Sequence, residues 1–192
     1  MKPMNASRIL ALIGLSLFAG TASAHVGLDD TLTGFAGGLV HPLLGLDHLF
    51  AMIAIGLWAG QQGGRTLWAI PAGFVGAMLA GGMLAWAGWT LPHVETAIAL
   101  SVLVAGLLIA TGRSWAMPVG VPIAAGFALF HGYAHGLEMP QAASPAYYAI
   151  GFVLTTACLH GAGIAGARAG RRAVRVAGAA IAATGLALVF VL

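Results

Sequence analysis

Two stretches of this chain place metal-binding side chains inside otherwise apolar sequence. The first is His41-Pro42-Leu43-Leu44-Gly45-Leu46-Asp47-His48, with Met52 close behind. On a continuous helix, positions seven apart lie two turns apart, so His41 and His48 would share a face, with Asp47 about 100° round. Pro42 has no amide hydrogen and Gly45 tolerates unusual backbone angles, so the helix is predicted to open locally and turn carbonyls toward a cavity. The second stretch is Phe130-His131-Gly132-Tyr133-Ala134-His135-Gly136-Leu137-Glu138. Here His131, His135 and Glu138 follow one helical stripe. Two imidazoles and a carboxylate suit a first-row divalent ion such as nickel, copper, zinc or iron, whereas magnesium and calcium prefer oxygen ligands. Gly132 and Gly136 would let a partner helix approach closely. A third place is His160, either a further ligand or a cross-helix hydrogen-bond donor. Ionisable groups within membrane helices usually mark a functional path.

The elements that must hold these residues follow from composition. Apolar residues make up 60% of the 192 and charged residues 7%, against about 25% charged in a soluble domain. So few charges cannot cover a surface facing water, and the chain reads as an all-α integral membrane protein. A span needs about 20 mostly apolar residues, and six segments qualify: 32–60, 67–90, 94–112, 117–137, 145–167 and 174–192. The first is long enough to tilt, or to break near Pro42 and Gly45. Ahead of them, Lys2 and Arg8, the apolar run from Ile9 to Gly20, and Ala22-Ser23-Ala24 form the pattern of a cleaved signal peptide over 1–24. One six-helix transmembrane domain, 25–192, remains. Cleavage would leave His25 first, where its amine and imidazole could chelate one ion together.

Charge sets the expected orientation. The remaining basic residues, Arg65, Arg113, Arg168, Arg171, Arg172 and Arg175, fall in the gaps after segments one, three and five. The positive-inside rule puts those gaps in the cytoplasm and both mature termini outside, as a cleaved signal also requires. Asp29, Asp30, Glu95 and Glu138 then lie on or near the outer face and would attract cations. The basic pI of about 9.6 comes from these scattered arginines, so no nucleic-acid partner is expected. The partners are the lipid bilayer and a divalent transition-metal ion. Each half of three helices begins with a His-bearing, Gly-rich segment, and an odd number per half would make the halves inverted. Cys158 excludes an internal disulfide and reads as a small packing residue.

At the two histidine stretches the chain resembles the HupE/UreJ family of nickel permeases. The resemblance rests on H-P-x-x-G-x-D-H from His41 to His48 and F-H-G-x-A-H-G-x-E from Phe130 to Glu138, and covers the whole chain. It is also similar to broader nickel/cobalt permeases with H-x4-D-H, although five residues here separate His41 from Asp47. The resemblance implies a multi-pass permease of the bacterial cytoplasmic membrane that takes up nickel for maturation of nickel enzymes, with the mature ends on the periplasmic side. His41, Asp47, His48, His131, His135 and Glu138 would line its metal path. Nickel would be cargo rather than cofactor, and cobalt or zinc share its ligands. Ligands must be deprotonated to bind, so transport is expected to weaken in acid. There is no G-x-x-x-x-G-K-[ST] nucleotide loop. The alternatives are an intramembrane zinc hydrolase with Glu138 as its acid or base, and a haem protein with paired axial histidines.

Overall fold

Most of the helix ends are written in the local chemistry. Gly63 and Gly112 stop their helices at φ 69° and 64°, backbone angles that a residue with a Cβ rarely adopts. Pro118 and Pro145 open theirs at the first turn, where a missing amide hydrogen costs nothing. The computed structural model describes residues 34–139 and 144–192. In these the chain forms α1 (Gly34–Val40), a 3-10 turn (His41–Leu43), α2 (Leu46–Gln62), α3 (Thr66–Trp86), α4 (Val94–Thr111), α5 (Met117–Glu138), α6 (Pro145–Gly166), a 3-10 turn (Ala167–Ala169) and α7 (Arg171–Val191). The signal-peptide segment 1–24, His25, Asp29 and Asp30 lie outside the described residues.

Five of these helices are long and apolar enough to cross a membrane. There are six if α1 and α2, bent by 81° at the break, count as one span. Contacts favour one span. The α1 glycine Gly38 lies on the backbone of Tyr148 and Phe152, Thr155 donates a hydrogen bond to the Leu39 carbonyl, and the α2 glycines Gly56 and Gly60 lie on His160 and Ile164. The two pieces thus follow successive stretches of α6. The break falls at Pro42 and Gly45, where the sequence predicts it. His41 consequently sits in the 3-10 turn and His48 in the first turn of α2, so they do not share one helical face. The expected two-turn register holds only for an unbroken helix.

The closest packing joins α3 to α5, α4 to α7, and the broken span to α6. Each pair takes one partner from the first three spans and one from the last three. The set is unchanged when the two halves are exchanged. Small residues make these contacts. A Cβ on Gly132 would run into the Met78 carbonyl, one on Gly81 into the Leu129 carbonyl, and one on Gly163 into the Ile53 carbonyl. Backbones meet there because no side chain stands between them, as membrane helices without a hydrophobic driving force need. The core between them holds Trp58, Phe74, Met52, Ile55 and Ile70, each almost fully buried. Large apolar residues such as Trp68, Ile150, Val176 and Phe190 point outward, as expected of a lipid-facing surface. Cys158 also lies exposed on the outside of α6. The packing role expected of it is not observed, because a helix apolar on all sides does not reveal which face turns inward.

The arginine-bearing connections converge on one end of the bundle. There the Gln62 side chain donates to the Arg113 carbonyl at 3.0 Å and accepts from the Trp115 amide at 2.8 Å, and Arg175 Nε donates to the Ala110 carbonyl at 2.8 Å. Glu138 ends α5 at the opposite end, near Trp86, whose indole donates to the Gly136 carbonyl at 3.1 Å. The bundle thus has an arginine end and a site end.

Candidate metal centre

The helix break brings the two histidine stretches together. α5 runs up to the site end carrying His131, His135 and Glu138 on one stripe, with its backbone held against α3 by Gly132 and Gly136. The break in the first span turns His41 and His48 toward that stripe. His41 Nε2 lies 3.1 Å from Glu138 Oε2, and His135 Nδ1 lies 3.7 Å from the same oxygen. One ligand atom from each of His41, His135 and Glu138 falls within 4.8 Å of the others. A tetrahedral ion with bonds of about 2.0–2.1 Å spaces neighbouring ligand atoms about 3.4 Å apart, so the widest pair must close by about 1.4 Å to hold one.

The remaining histidines continue inward from this cluster. The His48 ring centroid is 4.0 Å from that of His135 and 5.0 Å from that of His131. Asp47 Oδ1 accepts from both the amide and Nδ1 of His48, each at 2.8 Å. That contact fixes the proton on Nδ1 and leaves Nε2, buried and without a hydrogen-bond partner among the described residues, as a lone pair that could take a metal. Asp47 is thus placed as the carboxylate that orients a histidine ligand, a common support around metal sites. His131 is arranged in the same way by Ser101 on α4. The Ser101 hydroxyl donates to the Ile98 carbonyl at 2.7 Å and lies 2.7 Å from His131 Nε2. A hydroxyl has one proton, so Ser101 accepts from Nε2–H and leaves His131 Nδ1 unprotonated. No hydrogen bond engages that Nδ1 among the described residues.

Exposure grades along the set. The Glu138 and Asp47 side chains are 32% and 25% exposed, whereas His131 is fully buried. Phe74 of α3 lies beneath His131, with ring centroids 6.0 Å apart, and also contacts His160 at 5.3 Å. His160 is therefore not among the close-set groups, and the cross-helix hydrogen bond that was its alternative role is not formed among the described residues. His93 and Glu95 lie exposed at the site end, at the start of α4. Ser101 and Phe74 have no signal in the sequence. A single hydroxyl or phenyl in an apolar segment has neither spacing nor charge to single it out.

The arrangement can take a partly dehydrated divalent ion at its mouth through a carboxylate and two imidazoles, with two further oriented imidazoles directly behind. Its close-packed rings, 4.0–5.0 Å apart, leave no room for a porphyrin between them. Comparison with known proteins agrees with the residue patterns. The HupE / UreJ protein family model matches residues 13–188. Protein HupE of Rhizobium leguminosarum bv. viciae is 43% identical over 192 residues, covering 96% of this chain and 98% of that protein. No solved structure matches the chain. With its two histidine motifs folded into one site and the match running through nearly its whole length, the chain belongs to the HupE / UreJ protein family.

Proposed function

We propose that this protein is a secondary transporter that carries nickel ions, with cobalt as a close competitor, inward across the bacterial cytoplasmic membrane. The observation that carries this reading is the cluster of His41, His135 and Glu138 at a break in a membrane span, at the end of the bundle opposite the arginines. By the positive-inside rule the arginine end is cytoplasmic and the site end periplasmic. Glu138 and the exposed Glu95 draw cations to the mouth. The ion exchanges water for Glu138 and the imidazoles of His41 and His135, then moves onto the oriented lone pairs of His48 and His131. Trp58, Ile70 and Phe74 fill the bundle between the site and the arginine end, so this conformation is the outward-facing one and release needs a rearrangement. The membrane potential favours inward movement by about 2.3 kcal/mol per charge per 100 mV.

The hydrolase alternative needs a carboxylate free to act on water, and the Glu138 oxygen that faces the site is already hydrogen-bonded to His41, with His135 Nδ1 3.7 Å away. Radioactive nickel uptake into sealed vesicles containing the purified protein tests the proposal. Saturable uptake blocked by cobalt and not by magnesium is expected. Absence of uptake, together with tightly held zinc in the purified protein, would transfer the assignment to the hydrolase.

A further inference from the structure

His160 and Thr156 are polar groups that the site described above does not use. They lie one turn apart on α6, so they share a stripe. His160 is 2% exposed and Thr156 fully buried. Neither ring nitrogen of His160 nor the Thr156 hydroxyl has a hydrogen-bond partner among the described residues. Buried polar groups normally find partners, and leaving three polar atoms without one costs free energy that an apolar pair of the same size would avoid. Their position gives them a use. His160 stands six residues from the arginine end of α6, about 9 Å at 1.5 Å per residue, whereas His131 is fourteen residues from the arginine end of α5. The Phe74 ring meets His160 edge-on at 88°, with centroids 5.3 Å apart, and also contacts His131 at 6.0 Å, so it links the two histidines. Gly56 of α2 lies directly on the His160 carbonyl, so the broken span that carries His41 and His48 also borders this second place.

We propose that His160 and Thr156 form an inner station for the divalent transition-metal cargo, separated from the mouth cluster by the Phe74 ring, so that the ion crosses in two bound steps. This rests on the transport reading above. Imidazole nitrogen suits such ions, and the hydroxyl adds an oxygen without charge. The mouth site includes a carboxylate and the inner station does not. It therefore binds more weakly, as a station on the release side must for the ion to leave.

The test uses full-length protein in sealed vesicles for nickel uptake, and the same protein in detergent for cobalt(II) binding at the mouth read from its visible absorption. His160→Ala should keep mouth affinity within about twofold while uptake falls about tenfold or more. Thr156→Val should lower uptake about two- to threefold. His160→Cys supplies a thiolate, which favours softer ions, and should raise the cadmium-to-nickel uptake ratio about fivefold. A histidine that only fills space would leave that ratio unchanged. Should the alanine variant lose mouth binding through misfolding, His160→Gln, which keeps the volume, carries the same expectation. Wild-type uptake rates in His160→Ala or His160→Gln, or an unchanged ratio in His160→Cys, would overturn the inner station. Lack of uptake by the wild type would instead overturn the transport reading.

Discussion

At the arginine end, polar side chains spend their hydrogen bonds on helix termini. Gln61 donates to the Ile109 carbonyl at 2.9 Å, Gln62 bridges the Arg113 carbonyl and the Trp115 amide, and Arg175 holds the Ala110 carbonyl. Thr66 donates to the Gly63 carbonyl in the same region. At the site end the first span is broken, and imidazole nitrogens on His48, His131 and His135 stay without hydrogen-bond partners among the described residues. One end closes the bundle and the other presents ligands. Gln61 Oε1 and Trp115 Nε1 also lack partners among the described residues, so the difference is one of chemistry: the unpartnered atoms at the site end are imidazole nitrogens able to ligate a metal, while the opposite seal is made of separate, individually weak ties. Each such hydrogen bond contributes about 1 kcal/mol, so the seal is strong enough to hold and weak enough to open.

Removing a ligand at the site end breaks this contrast most severely. His135 faces His41, His48 and Glu138 together. His135→Ala should abolish nickel uptake and weaken cobalt(II) binding by about 100-fold or more, with membrane insertion intact. His48→Ala should abolish uptake likewise. Normal transport by both variants would mean that the unpartnered imidazoles are not the ion path.

The second prediction concerns how those imidazoles are aimed. Ser101→Ala removes the acceptor that holds the His131 proton on Nε2. The ring is then free to place its proton on Nδ1 and lose the lone pair that faces the site. Uptake should fall about tenfold, in the range found for partners that orient metal ligands. Ser101→Thr, which keeps the hydroxyl, should recover much of it. Equal loss in both variants would point to crowding at α4 rather than to proton placement.

These two predictions differ in how readily their residues are found from sequence. Five of the six spans were legible to within a few residues, because lipid demands about 20 apolar residues per span and glycine, proline and arginine punctuate the gaps. The ligand stripe on α5 was legible because its helix is continuous and the period of 3.6 applies. The relation of His41 to His48 was not, since the 81° bend replaces helical register with the geometry of a turn. Inward and outward faces were also hidden. Lipid and core are both apolar, so Cys158 and Ser101 look alike in sequence although one faces out and the other supports the site. Amphipathic patterning, which separates the faces of a soluble helix, carries little here.

A smaller effect is expected from loosening the seal. Gln62→Ala deletes two hydrogen bonds at the arginine end and should lower stability by about 1–3 kcal/mol, read as a reduced midpoint of thermal unfolding in detergent. Cobalt(II) affinity at the site end should stay within about twofold, because the two ends share no hydrogen-bonded group among the described residues. A matching loss of affinity would show that the ends are mechanically linked in this conformation, and the contrast between them would need to be redrawn as one coupled unit.

The smallest effect is expected at Arg171, exposed at the start of α7. Its reading as an orientation signal makes a specific demand. Arg65, Arg113, Arg168, Arg172 and Arg175 remain in the same set of gaps after Arg171→Ala, so the charge bias that sets topology is reduced but not reversed. Uptake should stay within about twofold of wild type, and a tag on the C-terminus should remain on the same side of the membrane. Loss of uptake with unchanged tag accessibility would separate the two roles. Arg171 would then act on the ion as it leaves, and the arginine end would be part of the transport route as well as its seal.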